Sequence, residues 1–244
     1  AALGAAVPRV RIGALVTGNT YRHPAVLAKM AANVDQISGG RCVLGLGAGW
    51  QENEHRAYGI NFSTLGGRMA RFEEACQVIK GLFTNDKTNF QGKYYQLTDA
   101  PLAPKPVQNP LPLLIGGGGE QRTLRIAAKY ADEWNVWGTP EALAHKGAIL
   151  NRYCEEIGRD PKSIKHSAQG MLALTDDESL AERMRASGRP AIAGTGAQIR
   201  AMVEQYIEAG VDELIIPGFA LGRNTGETKA IMDRFAHEVM AHFK

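Results

Sequence analysis

Apolar positions fall into two regimes along the chain. Six short runs read as β-type, several of them apolar throughout: "VRIGALV" (10–16), "RCVLGLG" (41–47), "PLLIG" (112–116), "EWNVW" (133–137), "HSAQGMLAL" (166–174) and "DELIIPG" (212–218). Runs without alternation predict strands covered on both faces, as in a parallel sheet wrapped by helices. Between them the apolar positions recur at helical spacing. In "GGRMARFEEACQVIKGLF" (66–83), Met69, Phe72, Cys76, Ile79 and Phe83 form one stripe that predicts a helix packed on the sheet. Glu73 and Glu74 in that helix are adjacent, do not converge on one face, and read as a solvated surface.

Further helices are predicted at 24–37, 120–131, 141–157, 197–209 with Thr195 as N-cap, and 226–243. Regular strand–helix alternation leaves two architectures, a doubly wound sheet or a (β/α)8 barrel, and six strands do not close an eight-stranded barrel. The opening "AALGAAVPRV" reads as the tail of a helix running into a strand, so two preceding βα units are expected. From 84 to 112 the alternation stops in a proline-rich stretch with a Gly-centred hairpin signal, predicting an ordered insertion over one barrel end.

Composition narrows the function classes. With 244 residues and 44% hydrophobic content the chain can bury the core of one large α/β domain. A net charge of +3, with both signs interspersed, carries no footprint of nucleic-acid or membrane-surface binding. The three cysteines, Cys42, Cys76 and Cys154, are odd in number and widely spaced, which argues against a disulfide framework or a structural zinc. With no apolar run of membrane length and no signal-peptide pattern, the expected location is the cytoplasm.

Candidate chemistry sits where strands end. "GLGAGWQENEH" (45–55) fails the dinucleotide fingerprint in both registers, because Trp50 and Glu52 occupy the required glycine positions. "IGGGGEQRTLRIAA" (115–128) places four consecutive glycines before a helix start and lacks the G-K-[ST] of a nucleotide-hydrolysing loop. Bare backbone N–H groups at a helix N-terminus make an anion site, and a turn with φ > 0 accounts for one or two glycines without any ligand. After the first strand, Thr17, Asn19, Tyr21 and His23 are candidates to line a pocket, with His23 equally suited to cap the helix after Pro24. His55 has no partner at metal-ligand spacing, and no metal is expected. No Ser-His-Asp order, H-E-x-x-H or acid pair stands out, so the chemistry belongs to a cofactor.

Five segments, "VTGNTYRHPAVLAKMAANVDQISGGR", "GLGAGWQENEHRAYGI", "RFEEACQVIKGLF", "FQGKYYQL" and "IGGGGEQRTLRIAAKYADEWN", together resemble the luciferase-like monooxygenase superfamily, most closely its F420-dependent oxidoreductase branch. The likeness extends over nearly the whole chain and is densest over the first 137 residues. It implies a single (β/α)8 TIM barrel over 1–244, without its first two βα units and with the insertion at about 84–112. "VRIGALV" is then the third strand, with a non-prolyl cis peptide at Ala14–Leu15 or one residue to either side.

Carried over position by position, the resemblance puts Ala14, Leu15, Val16 and Thr17 under a deazaflavin or flavin ring. Gly47, Ala48 and Gly49 lie beside it, and Gly117, Gly118 and Gly119 hold its phosphate with Gln121 and Arg122. Asn19, Trp50 and Trp137 are offered as substrate contacts. The implied cofactor is coenzyme F420, with FMN as the alternative. The implied activity is hydride transfer between F420 and an unidentified organic substrate. An FMN-dependent two-component monooxygenase and a non-catalytic flavin-binding barrel are the rivals. The family's catalytic acid and His fall in the second strand, outside this sequence, and the catalytic residues stay unassigned. In F420-dependent sugar-phosphate dehydrogenases a Glu closely follows the fourth-strand glycines; here Trp50 and Gln51 precede Glu52, which argues against a sugar phosphate. The family also implies a homodimer.

Overall fold

The structure, a computed structural model, describes residues 1–243. The chain forms two compact units, Ala1–Trp134 and Asn135–Lys244. The first unit contains α1 (Ala2–Ala6), β1 (Ile12–Gly13), β2 (Thr17–Gly18), α2 (Pro24–Ser38), β3 (Cys42–Gly47), α3 (Glu52–Ala57), α4 (Leu65–Thr84), the strands β4 (Lys87–Gln91) and β5 (Gln96–Pro101), β6 (Leu113–Gly116) and α5 (Thr123–Tyr130). The strand β7 (Glu133–Trp137) spans the division. The second unit continues with α6 (Pro140–Glu156), β8 (Lys165–Gln169), β9 (Met171–Leu174), α7 (Glu178–Arg185), β10 (Ala191–Gly194), α8 (Gly196–Glu208), β11 (Glu213–Ile215) and α9 (Thr225–Glu238).

β1, β3, β6 and β7 neighbour one another in that order, with β2 also beside β3, and the pairs Ile12 with Cys42, Thr17 with Leu46 and Leu44 with Leu113 are all parallel. In the second unit β8 pairs β11 in parallel, and β9 pairs β10 in a separate two-stranded sheet. Strand, helix and parallel neighbour follow one another as a (β/α)8 fold requires.

Local chemistry sets the helix ends. Pro24 opens α2 with its fixed φ, and His23 Nδ1 accepts from the Ala25 N–H at 3.2 Å. Thr64 and Thr139 cap α4 and α6, and Thr195 forms a full capping box with Gln198. The apolar stripe of α4 is buried throughout: Met69, Phe72, Cys76, Ile79 and Phe83 all lie in the core with Leu46, Leu113 and Ile115 of the sheet. Each large apolar side chain so buried is worth about 1.5–3 kcal/mol. The second unit has its own core of Leu143, Leu172, Ile192, Ile199 and Tyr206. All three cysteines are free and buried, and burial pushes the Cys42 thiol up to about 11.

Several boundaries differ from the sequence reading, each for a visible reason. The run at 10–16 is interrupted: β1 ends at Gly13, the Ala14 carbonyl turns toward β3, the Leu15–Val16 peptide is cis, and β2 begins at Thr17. The cis bond falls within the expected window. The run at 166–174 changes partner at Gly170, whose N–H still donates to the Ile215 carbonyl of β11 while the next N–H, of Met171, donates to Pro190 beside β10. The predicted helix at 120–131 starts only at Thr123, because the Leu124 N–H reaches back to the Gly119 carbonyl in a wider turn. The helix expected to run to 243 ends at Glu238, followed by a 3-10 turn at Met240–Phe243. The elements α3, α7 and β10 were not anticipated.

The insertion contains an antiparallel hairpin, β4 with β5, whose turn includes Gly92. Glu74 is not a merely solvated residue, contrary to the sequence reading. Its carboxylate accepts backbone N–H bonds from Lys93 at 2.8 Å, Tyr94 at 2.8 Å and Tyr95 at 3.1 Å. A Cβ on residue 92 would stand 2.3 Å from Glu74 Oε2, which accounts for the glycine there. Hydrogen bonds to an ionised acceptor contribute about 1.5–3 kcal/mol each when buried, and less where solvent competes, so Glu74→Ala should cost about 2 kcal/mol in all. Urea unfolding checks this, together with faster proteolysis between residues 90 and 96; an unchanged midpoint and cleavage pattern would show that the carboxylate does not hold the turn.

Candidate functional site

The ends of β2, β3 and β6 in the first unit meet around Val16. A Cβ on Gly45 would stand 1.9 Å from the Ala14 carbonyl oxygen and 3.1 Å from Val16 Cγ1. One on Gly47 would meet Val16 Cγ2 at 3.0 Å, and one on Gly116 would meet both Val16 methyls at 2.9 Å. Glycines on two strands thus clear the space into which Val16 wedges. Leu15 and Val16 remain 40% and 37% exposed, an apolar surface at the carboxyl ends of parallel strands. Ligands in α/β folds bind at such ends.

Beyond β3 the chain turns through Ala48, Gly49, Trp50 and Gln51 into α3, and buried groups brace this turn. The His55 ring is fully buried. Its Nδ1 lies 2.7 Å from the Gln51 carbonyl, which can only accept, so Nδ1 carries the proton; Nε2, 2.6 Å from Thr20 Oγ1, accepts from the Thr20 hydroxyl in the neutral ring. Tyr21 stacks on His55 with ring centroids 5.0 Å apart. The Tyr21 hydroxyl donates to Glu54 Oε2 at 2.6 Å, a bond that raises the phenol pKa. Arg68, nearly buried, donates from Nε to the Gly49 carbonyl at 3.2 Å and from Nη1 to Ser63 at 2.8 Å, its guanidinium 3.6 Å above the Phe62 ring. Sequence reasoning missed Arg68; its position on the buried face of α4, beside Met69, was the available signal. Among the described residues no cluster of three or more His, Cys, Asp or Glu could hold a metal.

Asn19 is 2% exposed, and its Nδ2 donates to the Tyr95 hydroxyl at 3.3 Å. Its Oδ1 is buried with no hydrogen-bond partner. Thr17 Oγ1 accepts from Arg22 at 2.8 Å, and His23 takes the capping role rather than a pocket-lining one. Trp50 is 82% exposed. Trp137 lies in the second unit at the end of β7, partly exposed, while Trp134 is buried core.

The glycine quartet has more than one cause. Gly116 yields to Val16, Gly117 has φ +125°, and a Cβ on Gly119 would stand 2.8 Å from Thr123 Oγ1. The indole N–H of Trp134 donates to the Gly117 carbonyl at 2.9 Å and fixes the loop from below. No side chain caps the N-terminus of α5. A groove of about 510 Å³ runs past Gly66, Gly119, Gln121, Arg122 and Thr123, and Arg122 Nη1 donates to the Gly66 carbonyl at 3.2 Å on its wall. An uncapped helix end beside a guanidinium suits an anion.

Known proteins resemble this chain over parts of its length. An F420-dependent glucose-6-phosphate dehydrogenase of Amycolatopsis mediterranei is 40% identical over 124 residues, covering 50% of this chain and 35% of that protein. An FMNH(2)-dependent dimethylsulfone monooxygenase of Pseudomonas putida is 34% identical over 204 residues, 82% of this chain and 55% of that one. The chain therefore spans between about a third and just over half the length of these relatives. The solved structure of the coenzyme F420-dependent tetrahydromethanopterin reductase from Methanopyrus kandleri superimposes with a TM-score of 0.83 at 19% identity, over 98% of this chain and 85% of that one, a likeness of fold. The model of the luciferase-like monooxygenase family matches residues 1–214, and the chain belongs to that family.

Proposed function

We propose that the chain is the barrel of an oxidoreductase that uses coenzyme F420 as hydride carrier for an organic substrate. The observation that carries this reading is the exposed apolar Leu15–Val16 surface, cleared by Gly45, Gly47 and Gly116, in the same unit as an anion-suited groove at Gly119 and Arg122. F420, when bound, supplies a two-electron hydride carrier. The chain's own part is to bind and orient. Ala14, Leu15, Val16 and Thr17 offer a flat apolar face to a ring, and Gly47, Ala48 and Gly49 keep its flank free of side chains. Gly117, Gly118, Gly119, Gln121 and Arg122 would hold the phosphate by backbone N–H groups and one guanidinium. Of the three positions offered as substrate contacts, Trp50 and Trp137 are exposed enough to meet one, while Asn19 is buried and would act from beneath the surface. The reading is completed by the homodimer and the cytoplasmic location that the resemblance and the sequence lead one to expect.

A second reading, an FMN-dependent monooxygenase, is favoured by the 34% identity to the dimethylsulfone monooxygenase over most of this chain. Equilibrium titration of the full chain with F420 and with FMN separates the two. F420 should bind at least tenfold more tightly than FMN, a difference of about 1.4 kcal/mol; the opposite order would give the protein to the second reading, and no binding of either would end both.

A further inference from the structure

The strands of the second unit have two unlike faces. Val136 of β7, Ala168 of β8 and Leu214 of β11 pack with Leu143 of α6 and with Ile199 and Tyr206 of α8 in an apolar core. Side chains alternate across a strand, so Asn135, Trp137, Ser167, Gln169, Glu213 and Ile215 occupy the opposite face. Polar groups are buried there. Asn135 and Ser167 are each 2% exposed. Asn135 Nδ2 donates to Ser167 Oγ at 2.8 Å, and Gln169 Nε2 donates to Asn135 Oδ1 at 2.7 Å. Two buried polar side chains thus form a relay that ends on a third, half-buried one.

The relay decides how the last amide is used. With its nitrogen committed to Ser167, Asn135 has its oxygen to offer Gln169, and Gln169 answers with Nε2. Oε1 of Gln169 is then left to accept a further hydrogen bond. Because Asn135 reaches both Ser167 and Gln169, it lies level with the interval between them, and Trp137, two residues farther along β7, stands beside Gln169 about 5 Å across the sheet. Ile215 is the register partner of Gln169 on its other side. The row at these strand ends is an indole, a primary amide and a butyl group, with no charge of its own. One level below, the Glu213 carboxylate is met by Lys165 Nζ at 2.5 Å. The row is also tied in place, since the Tyr206 hydroxyl donates to the Gly138 carbonyl at 3.1 Å just after Trp137, and the Gly170 N–H donates to the Ile215 carbonyl at 3.3 Å just after Gln169.

We infer that Gln169 is a specificity-determining residue whose Oε1 accepts from an uncharged substrate bearing a hydroxyl or N–H donor, while Trp137 and Ile215 receive the substrate's apolar body. Asn135 and Ser167 are positioning residues that hold the amide in that role. An ionised carboxylate is disfavoured, because it would meet an amide oxygen and leave water with no cation in the row to replace its hydration. The inference rests on the reading of the barrel as an oxidoreductase for an organic substrate, and not on the choice between F420 and FMN.

Three probes of one shape test it: benzamide, which has the donor, N,N-dimethylbenzamide, which lacks it, and benzoate, which is charged. Each is titrated into the full chain by ligand-detected NMR, with and without cofactor. A neutral hydrogen bond is worth roughly a factor of two to ten, so benzamide should bind about fivefold more tightly than either of the others. Gln169→Leu should bring benzamide down to the level of N,N-dimethylbenzamide, with Gln169→Met as the second variant should the leucine fail to fold. Asn135→Leu keeps Gln169 but releases its amide, and should reduce the ratio of the two amides to about twofold; a purely structural role would move the thermal midpoint and not the ratio. Equal affinities for the two amides in the wild type, no saturable binding of benzamide below about 10 mM, or an unchanged ratio in the Gln169 variants would overturn the inference. Titration of the same preparations with F420 and FMN keeps the readings apart: a bound cofactor without discrimination between the amides ends this inference alone, and no binding of either cofactor ends it together with the oxidoreductase reading.

Discussion

Gly118→Asp should weaken binding of F420 at least tenfold and leave binding of its phosphate-free deazaflavin fragment within about twofold. The residue lies between Gly117, whose carbonyl is held by the Trp134 indole, and Gly119, whose carbonyl receives the Leu124 N–H at the start of α5. Both neighbours are tied by hydrogen bonds, which opposes movement of the loop to admit a side chain. An aspartate there takes up space beside the uncapped helix end and sets a carboxylate against a phosphate. Charge-assisted hydrogen bonds are worth about 1.5–3 kcal/mol each, and the loss of one is tenfold or more in affinity. Paired titrations read this directly, with FMN and riboflavin as the corresponding pair under the second reading. Equal losses for the phosphorylated and phosphate-free ligands would mean that the loop is a turn and not a phosphate cradle. A thermal midpoint within a few degrees of wild type keeps a folding defect from imitating the result.

What the sequence makes legible follows from how local the cause is. The α4 stripe could be read because burial there is one-sided and repeats every three or four residues, and all five of its named positions are buried. The runs at 41–47, 112–116 and 133–137 were equally plain, being apolar strands between helices. The elements missed are those whose cause is distant or faint. β10, "AIAG", is four residues that become a strand only beside β9, and α7, "ESLAERMR", buries a single residue, Ala181. The break at Gly170 depends on a change of partner between β11 and β10, some 20 to 45 residues away in the chain.

The glycines teach the same lesson at the site. Four in a row after β6 invite a ligand, and the groove beside Arg122 is consistent with one. Yet Gly116 is required by Val16, a hundred residues earlier, and Gly119 by Thr123. Sequence alone exposes that a close approach occurs; only the folded chain identifies what approaches. His55 and Arg68 show the converse. Each braces the turn after β3, and their partners, the Gln51 and Gly49 carbonyls and the Thr20 hydroxyl, are brought within reach only by the fold.

Gly45→Ala should be among the most damaging single-methyl substitutions in the first unit, and the comparison with Gly47→Ala isolates why. Gly45 is the fourth residue of β3, paired with Leu114 of β6, so its backbone is held by the ladder. The added methyl would lie 1.9 Å from the Ala14 carbonyl oxygen, and a backbone oxygen has no rotamer into which it can retreat. Either β3 shifts against its neighbours or the Ala14–Val16 segment lifts out of its seat. Overpacking a close-packed interior typically costs about 1–3 kcal/mol, and a clash between two backbones belongs at or above the upper end. At Gly47 the methyl would meet Val16 Cγ2 at 3.0 Å, the end of a side chain that can yield by a few tenths of an ångström, and the Gly116 carbonyl oxygen at an ordinary 3.7 Å, and the expected cost is about 1 kcal/mol or less. Urea unfolding of the full chain should therefore show a large fall in midpoint for Gly45→Ala and a small one for Gly47→Ala. Equal midpoints for the two would mean that Ala14 is not anchored against β3, and the apolar surface that Leu15 and Val16 present would then not be a fixed feature of the barrel mouth.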